Sequence, residues 1–234
     1  MAVMTNNIKS DQNLEIMQKA GGHFGYSKSR RHPSTAKFIL GTKNKTDYID
    51  LEKTKVELDR ALELISNLAK EGKQILFVGS KPEAKKAVQE AAENLGMPYV
   101  NERWIGGTLT NFGEIKKRID RLVDLKDKRE KGEFEKYTKK ERLMINREIE
   151  RLEKYFSSLV KMAKTPNLLI IVDSRKEEGA LNEAIRMKIP VISICNTDCD
   201  IKKVDYPIVA NDSSVSSIKF FVEQLAKAYK QQDK

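Results

Sequence analysis

The chain has 234 residues, of which 39% are hydrophobic and 33% charged, enough apolar material for the core of one good-sized domain. A mean hydropathy of −0.57 and the lack of any 20-residue apolar run argue against a membrane-embedded protein. The net charge of +10 indicates a polyanionic partner, either nucleic acid or an acidic membrane surface. Two cysteines are too few for a disulfide-stapled secreted protein, and no signal-peptide pattern begins the chain, so we expect a cytosolic protein.

The positive charge is concentrated in two segments. Residues 19–45 contain seven Lys and Arg and no acidic residue, and residues 113–164 contain 17 basic and 11 acidic residues. The remainder of the chain is close to neutral. Charge that served only solubility would be spread more evenly, so the two segments are predicted to be contact surfaces.

Residues 1–18 form an N-terminal lead, and an amphipathic pattern over residues 11–20 predicts a short helix at its end. The basic segment that follows, residues 19–45, is rich in Gly, Ser and Pro and predicts an extended loop. Arginine can bind a phosphate with two donors, and interleaved aromatic residues can stack on unpaired bases. We therefore expect RNA contact here in preference to a flexible solvated arm, through Lys28, Arg30, Arg31, Lys37, Lys43 and Lys45.

Continuous apolar runs at residues 74–79, 168–172 and 190–194 predict buried parallel strands, with shorter candidates at 46–50, 98–100 and 207–209. Amphipathic helical patterns separate these runs, and capping boxes are predicted at residues 80–83 and 174–177. This alternation indicates a doubly wound α/β domain formed by residues 46–110 and 165–234.

Residues 111–164 interrupt the alternation with two long charged helical patterns. Thr138 and Glu141 predict a capping box at the start of the second helix. Its apolar residues follow a heptad seam, comprising Ile145, Ile149, Leu152, Phe156, Leu159 and Ala163. The prediction is a protruding antiparallel coiled-coil hairpin inserted into the α/β domain.

Catalytic motifs are missing from the sequence: there is no Walker motif, no GxGxxG between a strand and a helix, and no GxSxG elbow. Asp173, Asp198 and Asp200 follow predicted strands and are the best catalytic candidates, although such carboxylates more often cap helices or fix loops. Cys195 and Cys199 could bind zinc together with His23 and His32, but the spacing of these four residues along the sequence is not that of a zinc finger. We therefore predict no catalytic residue, no metal and no cofactor.

Two functional alternatives stay open at this point. One is an enzyme that binds a nucleotide or sugar phosphate at the strand ends near Gly79, Asp173 and Asn196. The other is an unrelated assembly in which the helical hairpin docks a partner.

Several long blocks in one order carry a resemblance to a known family. They are AGGHFGYSKSRRHP, KFILGTKNKTDYIDLEKT, ILFVGSKPEAKKAVQEAA, YVNERWIGGTLTNF and TPNLLIIVDSRKEEGALNEAIRMKIPVISICNTD. From about Met17 to Tyr229 the chain resembles the bacterial small-subunit ribosomal protein S-two family. It departs from the usual family pattern at Tyr26, at Ser27 and Lys28, within residues 196–198 and at Ile201.

The resemblance implies a flavodoxin-like sheet with a protruding coiled-coil hairpin and no enzymatic activity. It implies a structural constituent of the small ribosomal subunit, located on cytoplasmic ribosomes, whose partners are small-subunit ribosomal RNA and neighbouring ribosomal proteins. The S-one protein, which members of the family help to dock, is among those partners. We expect no membrane as a partner. The RNA-binding residues that it implies fall into two groups, which we call the first and second predicted blocks. The first, within residues 23–45, contains His23, Phe24, Gly25, Arg30, Arg31 and Lys45, and the second, within residues 101–111, contains Arg103, Trp104, Gly106, Gly107, Thr108, Thr110 and Asn111.

Overall fold

A computed structural model describes residues 13–231, and its centre is a five-stranded parallel sheet. The strands are β4 (Ile75–Val78), β5 (Tyr99–Val100), β6 (Leu168–Val172), β7 (Val191–Cys195) and β8 (Tyr206–Val209). Their spatial order is β5-β4-β6-β7-β8. This order is that of flavodoxin-like sheets. The second strand of the sheet lies on one side of the first strand, and the third and later strands lie on its other side. The predicted doubly wound α/β class is therefore confirmed.

Helices cover both faces of the sheet. The longer ones are α2 (Leu51–Lys70), α3 (Pro82–Leu95), α6 (Glu178–Met187) and α7 (Val215–Lys230), and residues 13–19 form the short helix α1. One face packs against α2, α3 and α7 through Ile75, Phe77 and Ile170. The opposite face packs against α6 through Leu76, Leu169 and Ile171. Alternate residues of each strand thus enter different cores, which is why the strands read as unbroken apolar runs.

A second, three-stranded antiparallel sheet precedes the central one. It consists of β1 (Phe24–Ser27), β2 (Ile39–Lys43) and β3 (Thr46–Ile49), in the order β1-β3-β2. Asn44 and Lys45 form the β2–β3 turn with φ of 52° and 64°, the left-handed conformation that tight hairpins require. Two 3-10 turns, Lys28–Arg30 and Pro33–Phe38, join β1 to β2. The extended loop predicted for residues 19–45 is therefore wrong, and the candidate strand at 46–50 pairs antiparallel, outside the central sheet.

Two helices, α4 (Phe112–Glu130) and α5 (Lys139–Phe156), follow the edge strand β5. Ile115, Ile119 and Leu122 of α4 share one apolar cluster with Ile149 and Leu152 of α5. Ion pairs also join the two helices, Arg121 to Glu148 at 3.4 Å and Lys126 to Glu153 at 2.7 Å. Coiled-coil packing and protrusion from the domain stay predictions, as does the division of the chain into domains.

Local predictions for the helix ends have mixed outcomes. The capping box of Thr138 and Glu141 is confirmed. The box predicted at Ser80 is wrong, because α3 begins without a side-chain cap and Ser80 bonds to Glu177 instead. The box predicted at Ser174 is also wrong, because α6 begins at Glu178 without a side-chain cap and the Glu177 carboxylate accepts from Ser80. The heptad seam ends early: α5 stops at Phe156, and Ala163 is exposed.

Of the predicted N-terminal helix, residues 13–19 are helical, while residues 1–12 lie outside the described residues. Across residues 13–231, the helices are all too short or too polar to cross a lipid bilayer.

Candidate nucleic-acid interface

The three-stranded sheet and its two 3-10 turns, residues 24–49, form what we call the basic platform. Its exposed cations are Lys28, Arg30, Lys37, Lys43 and Lys45. Among residues 13–231, no carboxylate lies within 4.0 Å of any of these cationic groups. The backbone amide of Lys28 donates to the carbonyl of Lys45 at 3.0 Å, which brings the turn after β1 beside the β2–β3 turn. Most of these cations are thereby gathered at one end of the small sheet.

Arg31 differs from these cations because it is tied to the platform itself. Its Nε donates to Asp47 Oδ2 at 2.6 Å, and its Nη2 donates to Thr42 Oγ1 at 2.9 Å and to Asp47 Oδ1. The guanidinium bond holds the pKa of the buried Asp47 carboxyl below its ordinary value, and the carboxylate raises the pKa of Arg31. Arg31 thus braces β2 and β3, and its donors are largely used.

Aromatic rings lie on the other part of the platform and directly beside it. The rings of His23 and Phe24 have centroids 4.0 Å apart, and Tyr48 stacks on His23 at 6.0 Å. His23 Nδ1 is buried and has no hydrogen-bond partner among the described residues. Phe24 is 41% exposed. Elsewhere on the platform, the Arg30 guanidinium carbon lies 4.8 Å from the centroid of the Tyr26 ring.

Thr197, in the turn after β7, fastens the platform to the central sheet. Its hydroxyl accepts from the Tyr26 amide at 3.0 Å, and its carbonyl accepts from the His32 amide at 2.8 Å and the Thr35 hydroxyl at 2.9 Å. A Cβ on Gly25 would lie 2.6 Å from Thr197 Cγ2. Gly25 is therefore required for this close approach, whatever else it contacts.

The second predicted block, residues 101–111, is folded around one buried carboxylate. Glu183 of α6 is 8% exposed. Its Oε1 accepts from Trp104 Nε1 at 3.0 Å and the Gly107 amide at 2.8 Å. Its Oε2 accepts from the amides of Leu109 and Thr110 and from the Thr110 hydroxyl at 3.0 to 3.1 Å. Burial opposes ionisation, but these donors outweigh it and lower the pKa of Glu183.

These bonds separate the predicted residues of this block into two groups. Trp104 and Thr110 are engaged with Glu183, and the buried Thr108 donates its hydroxyl to the Ile105 carbonyl at 2.6 Å. Arg103, Gly106 and Asn111 are exposed. The turn between β6 and α6 lies between this block and the platform: Arg175 lines a groove with Arg30 and Arg31, and Lys176 lines another with Arg103.

The strand-end carboxylates that sequence singled out are bound internally. Lys81 Nζ lies 2.6 Å from Asp173 Oδ2 and 2.7 Å from Asp212 Oδ2, and Asn196 donates to Asp212 at 2.8 Å. Burial opposes charging of Lys81, but the two carboxylates outweigh it and raise its pKa. Burial raises the pKa of Asp212.

The same carboxylates fix the neighbouring loops. Asp173 Oδ1 accepts from the amides of Arg175 and Lys176, and Asp198 pairs with Arg175 at 2.9 Å. Asp200 caps the 3-10 turn Ile201–Lys203. In this cluster, which we call the Lys81 crevice, Lys81 joins the turns after β6 and β8, and the carboxylates act as caps and loop ties.

The zinc alternative lacks a ligand cluster. Cys195 and Cys199 are buried free thiols, and the Cys195 thiol and burial together raise the pKa of Cys199. His32 Nδ1 bonds to Ser34 Oγ at 2.7 Å. Within the part of the chain that the structure describes, no three His, Cys, Asp or Glu side chains come together as metal ligands would.

Comparison with known proteins gives the family. The model of the family "Ribosomal protein S2" matches residues 17–232. The chain belongs to the ribosomal protein S2 family. Small ribosomal subunit protein uS2 of Coprothermobacter proteolyticus is 43% identical over 215 residues, which cover 92% of this chain and 80% of the relative. The uS2 proteins of Dictyoglomus thermophilum and Dictyoglomus turgidum are 44% and 42% identical over the same length, covering 92% of this chain and 87% of each relative.

Membership of the S2 family confirms the resemblance seen in the sequence. The protein has a structural, non-enzymatic role in the small ribosomal subunit and works in translation, on cytoplasmic ribosomes. The alternative of a nucleotide- or sugar-phosphate-binding enzyme is therefore wrong.

Proposed function

We propose that the basic platform binds small-subunit ribosomal RNA. The observation that supports this most directly is the set of exposed cations on residues 24–49 that have no carboxylate partner among the described residues. Cations left unpaired on a folded surface repel one another, and binding phosphates removes that repulsion while releasing counterions. Neighbouring ribosomal proteins are proposed as further partners.

The platform suits RNA because its cations stand on a rigid support. Arg31, Asp47 and Thr42 brace the small sheet, and Thr197 holds it against the central sheet. Rigid placement lowers the conformational entropy that is lost when RNA binds. We assign direct phosphate contact to Lys28, Arg30, Lys37, Lys43 and Lys45 and stacking to the exposed Phe24. His23, Gly25 and Arg31 shape the surface.

In the second block, Arg103, Gly106 and Asn111 are proposed to face RNA. Gly107, Thr108 and Thr110 keep their backbone in position. Together the two blocks form one interface along the carboxyl edge of the central sheet.

Lys28→Glu with Arg30→Glu is expected to weaken binding to small-subunit ribosomal RNA by at least about 100-fold at moderate salt, because it removes two phosphate contacts and adds two repulsive charges. The magnitude of the slope of log affinity against log salt should fall by roughly 1.4 to 1.8, since each of the two lost phosphate contacts contributes about 0.7 to 0.9. Filter binding over a range of salt concentrations measures both quantities.

Lys70→Glu with Lys230→Glu is the matched control, because it makes the same change in net charge on exposed residues at the far ends of α2 and α7. Equal losses in the two double variants would show that overall charge, and not the platform, governs binding. That result would overturn the proposal.

We propose separately that the surface of α5 helps to dock the S-one protein. Leu143 and Met144 are 50% and 60% exposed on a helix that is otherwise highly charged, and exposed neighbouring apolar side chains often mark protein contacts. Leu143→Ser with Met144→Ser should reduce the S-one protein retained on purified small subunits several-fold, while the subunits keep this chain. Undiminished S-one protein on the variant subunits would refute this role.

A further inference from the structure

A groove of about 540 Å³ opens beside the loop that Glu183 organises. It lies at the carboxyl edge of the central sheet, where the chain leaves β4, β5 and β6. Its lining includes Ser80, Arg103, Trp104, Lys176, Glu177 and Gly179. This groove is separate from the Lys81 crevice, and the residues contributed by the β6–α6 turn have no function assigned so far.

Trp104 provides the groove with an aromatic surface of fixed orientation. Its indole N–H is held by Glu183 at 3.0 Å, and its ring is only partly buried. A Cβ on Gly179 would lie 3.4 Å from Trp104 Cδ1, so the bare backbone of α6 allows the ring to lie close. A ring held in this way can stack on a nucleobase without losing rotamer freedom.

Glu177 provides a buried acceptor in the same groove. The residue is 3% exposed, and its Oε1 accepts from both the amide and the hydroxyl of Ser80. Among the described residues, no donor bonds to its second carboxylate oxygen, Oε2. A carboxylate accepts hydrogen bonds and donates none, so the group that completes this site must carry N–H or O–H donors.

Arg103 and Lys176 provide the positive charge. Both are exposed, and neither has an ion-pair partner in residues 13–231. One comes from the segment after β5 and the other from the turn after β6, so they approach the groove from two sides. Two separated cations can pair with the two phosphates that flank one nucleotide in a strand. They are less suited to a single compact anion.

We propose that this groove binds one unstacked guanosine nucleotide of RNA. The base stacks on Trp104, its N1–H and N2–H edge faces Glu177, and the flanking phosphates pair with Arg103 and Lys176. Guanine fits best because its Watson–Crick edge presents two adjacent N–H donors. The open Oε2 of the Glu177 carboxylate can only accept hydrogen bonds, so it complements these donors. The inference rests on the proposed RNA-binding function and names one nucleotide that the interface recognises.

The test uses the full chain and its own fluorescence, because Trp104 is the single tryptophan. The pentanucleotide UUGUU should quench this fluorescence saturably and bind about tenfold more tightly than UUUUU. Glu177→Gln should bring the two affinities to within about twofold, since the amide offers a donor where guanine needs an acceptor. Arg103→Ala should weaken both oligonucleotides alike, whereas Arg147→Ala, an exposed arginine of α5, should weaken neither.

Four results would overturn the inference. The first three are equal affinity of the wild type for both pentanucleotides, no quenching by either, and unchanged discrimination in Glu177→Gln. The fourth is GMP that binds as tightly as UUGUU, because the site would then serve free mononucleotides. None of these outcomes affects the proposed function, which is judged by the Lys28 and Arg30 double variant.

Discussion

Replacing Glu183 with alanine is expected to lower the free energy of unfolding by about 3 to 5 kcal/mol at pH 7. The carboxylate accepts five hydrogen bonds from residues 104–110, and its removal leaves the buried Leu109 amide and several partly buried donors without this partner. Trp104 loses the bond that orients its ring, so its emission should shift to longer wavelength. Urea unfolding followed by fluorescence measures both effects.

The pH dependence gives an independent measurement on Glu183. The folded-state pKa is lowered below the ordinary value of 4.5, so the stabilisation is fully present above that value and is lost as the pH falls through the lowered folded pKa. Glu183→Ala should remove this part of the acid dependence. Glu63→Ala, which removes an exposed carboxylate on α2, is the control and should change stability by less than about 0.5 kcal/mol. Equal stability of the two variants would contradict the role assigned to Glu183.

Lys81→Met is the second change with a large expected effect, again about 3 to 5 kcal/mol at pH 7. It leaves Asp173 and Asp212 close together without their shared cation, and both are largely buried. Burial and the neighbouring Asp173 charge raise the pKa of Asp212, so protonation of Asp212 at lower pH relieves the repulsion. The deficit relative to the wild type should therefore shrink as the pH falls from 7 to about 4.5.

Urea titrations at several pH values measure this deficit. Adding Asp212→Asn to the Lys81→Met variant should restore part of the stability, because one of the two charges is then gone. Lys85→Met breaks the more exposed pair with Glu102 and should cost about 1 kcal/mol or less. A deficit in Lys81→Met that is the same at every pH would show that lost packing, and not uncompensated charge, is responsible.

The central sheet could be predicted from sequence because its signal is local. The runs at 74–79, 168–172 and 190–194 each coincide, to within one residue at either end, with one strand of the parallel sheet, since a strand buried on both faces needs unbroken apolar residues. The two long helices within residues 112–156 followed from helical periodicity for the same reason. The end of α5 was placed too late, because Leu159 and Met162 are buried beyond the helix and continue its apolar pattern.

The basic platform and the Glu183 loop could not be predicted, because their structure depends on distant residues. Residues 19–45 have the composition of a loop, and they become strands only through pairing with β3 and hydrogen bonds to Thr197. Glu183 did leave a signal: it lies beside Ala180 and Ala184 on the buried side of α6, where a charged residue needs partners. Lys81 left none, since a lysine after a strand is ordinary at a surface.

The bonds from Thr197 to the basic platform also set an order of events during synthesis. Tyr26 and Thr197 are 171 residues apart, so the cationic segment leaves the translating ribosome long before the residue that fastens it. An incomplete chain therefore carries its positive charge on an unfastened segment, and the finished surface forms only once most of the protein has been made. On the proposed RNA-binding role, an incomplete chain therefore lacks the fixed surface that would recognise the shape of RNA.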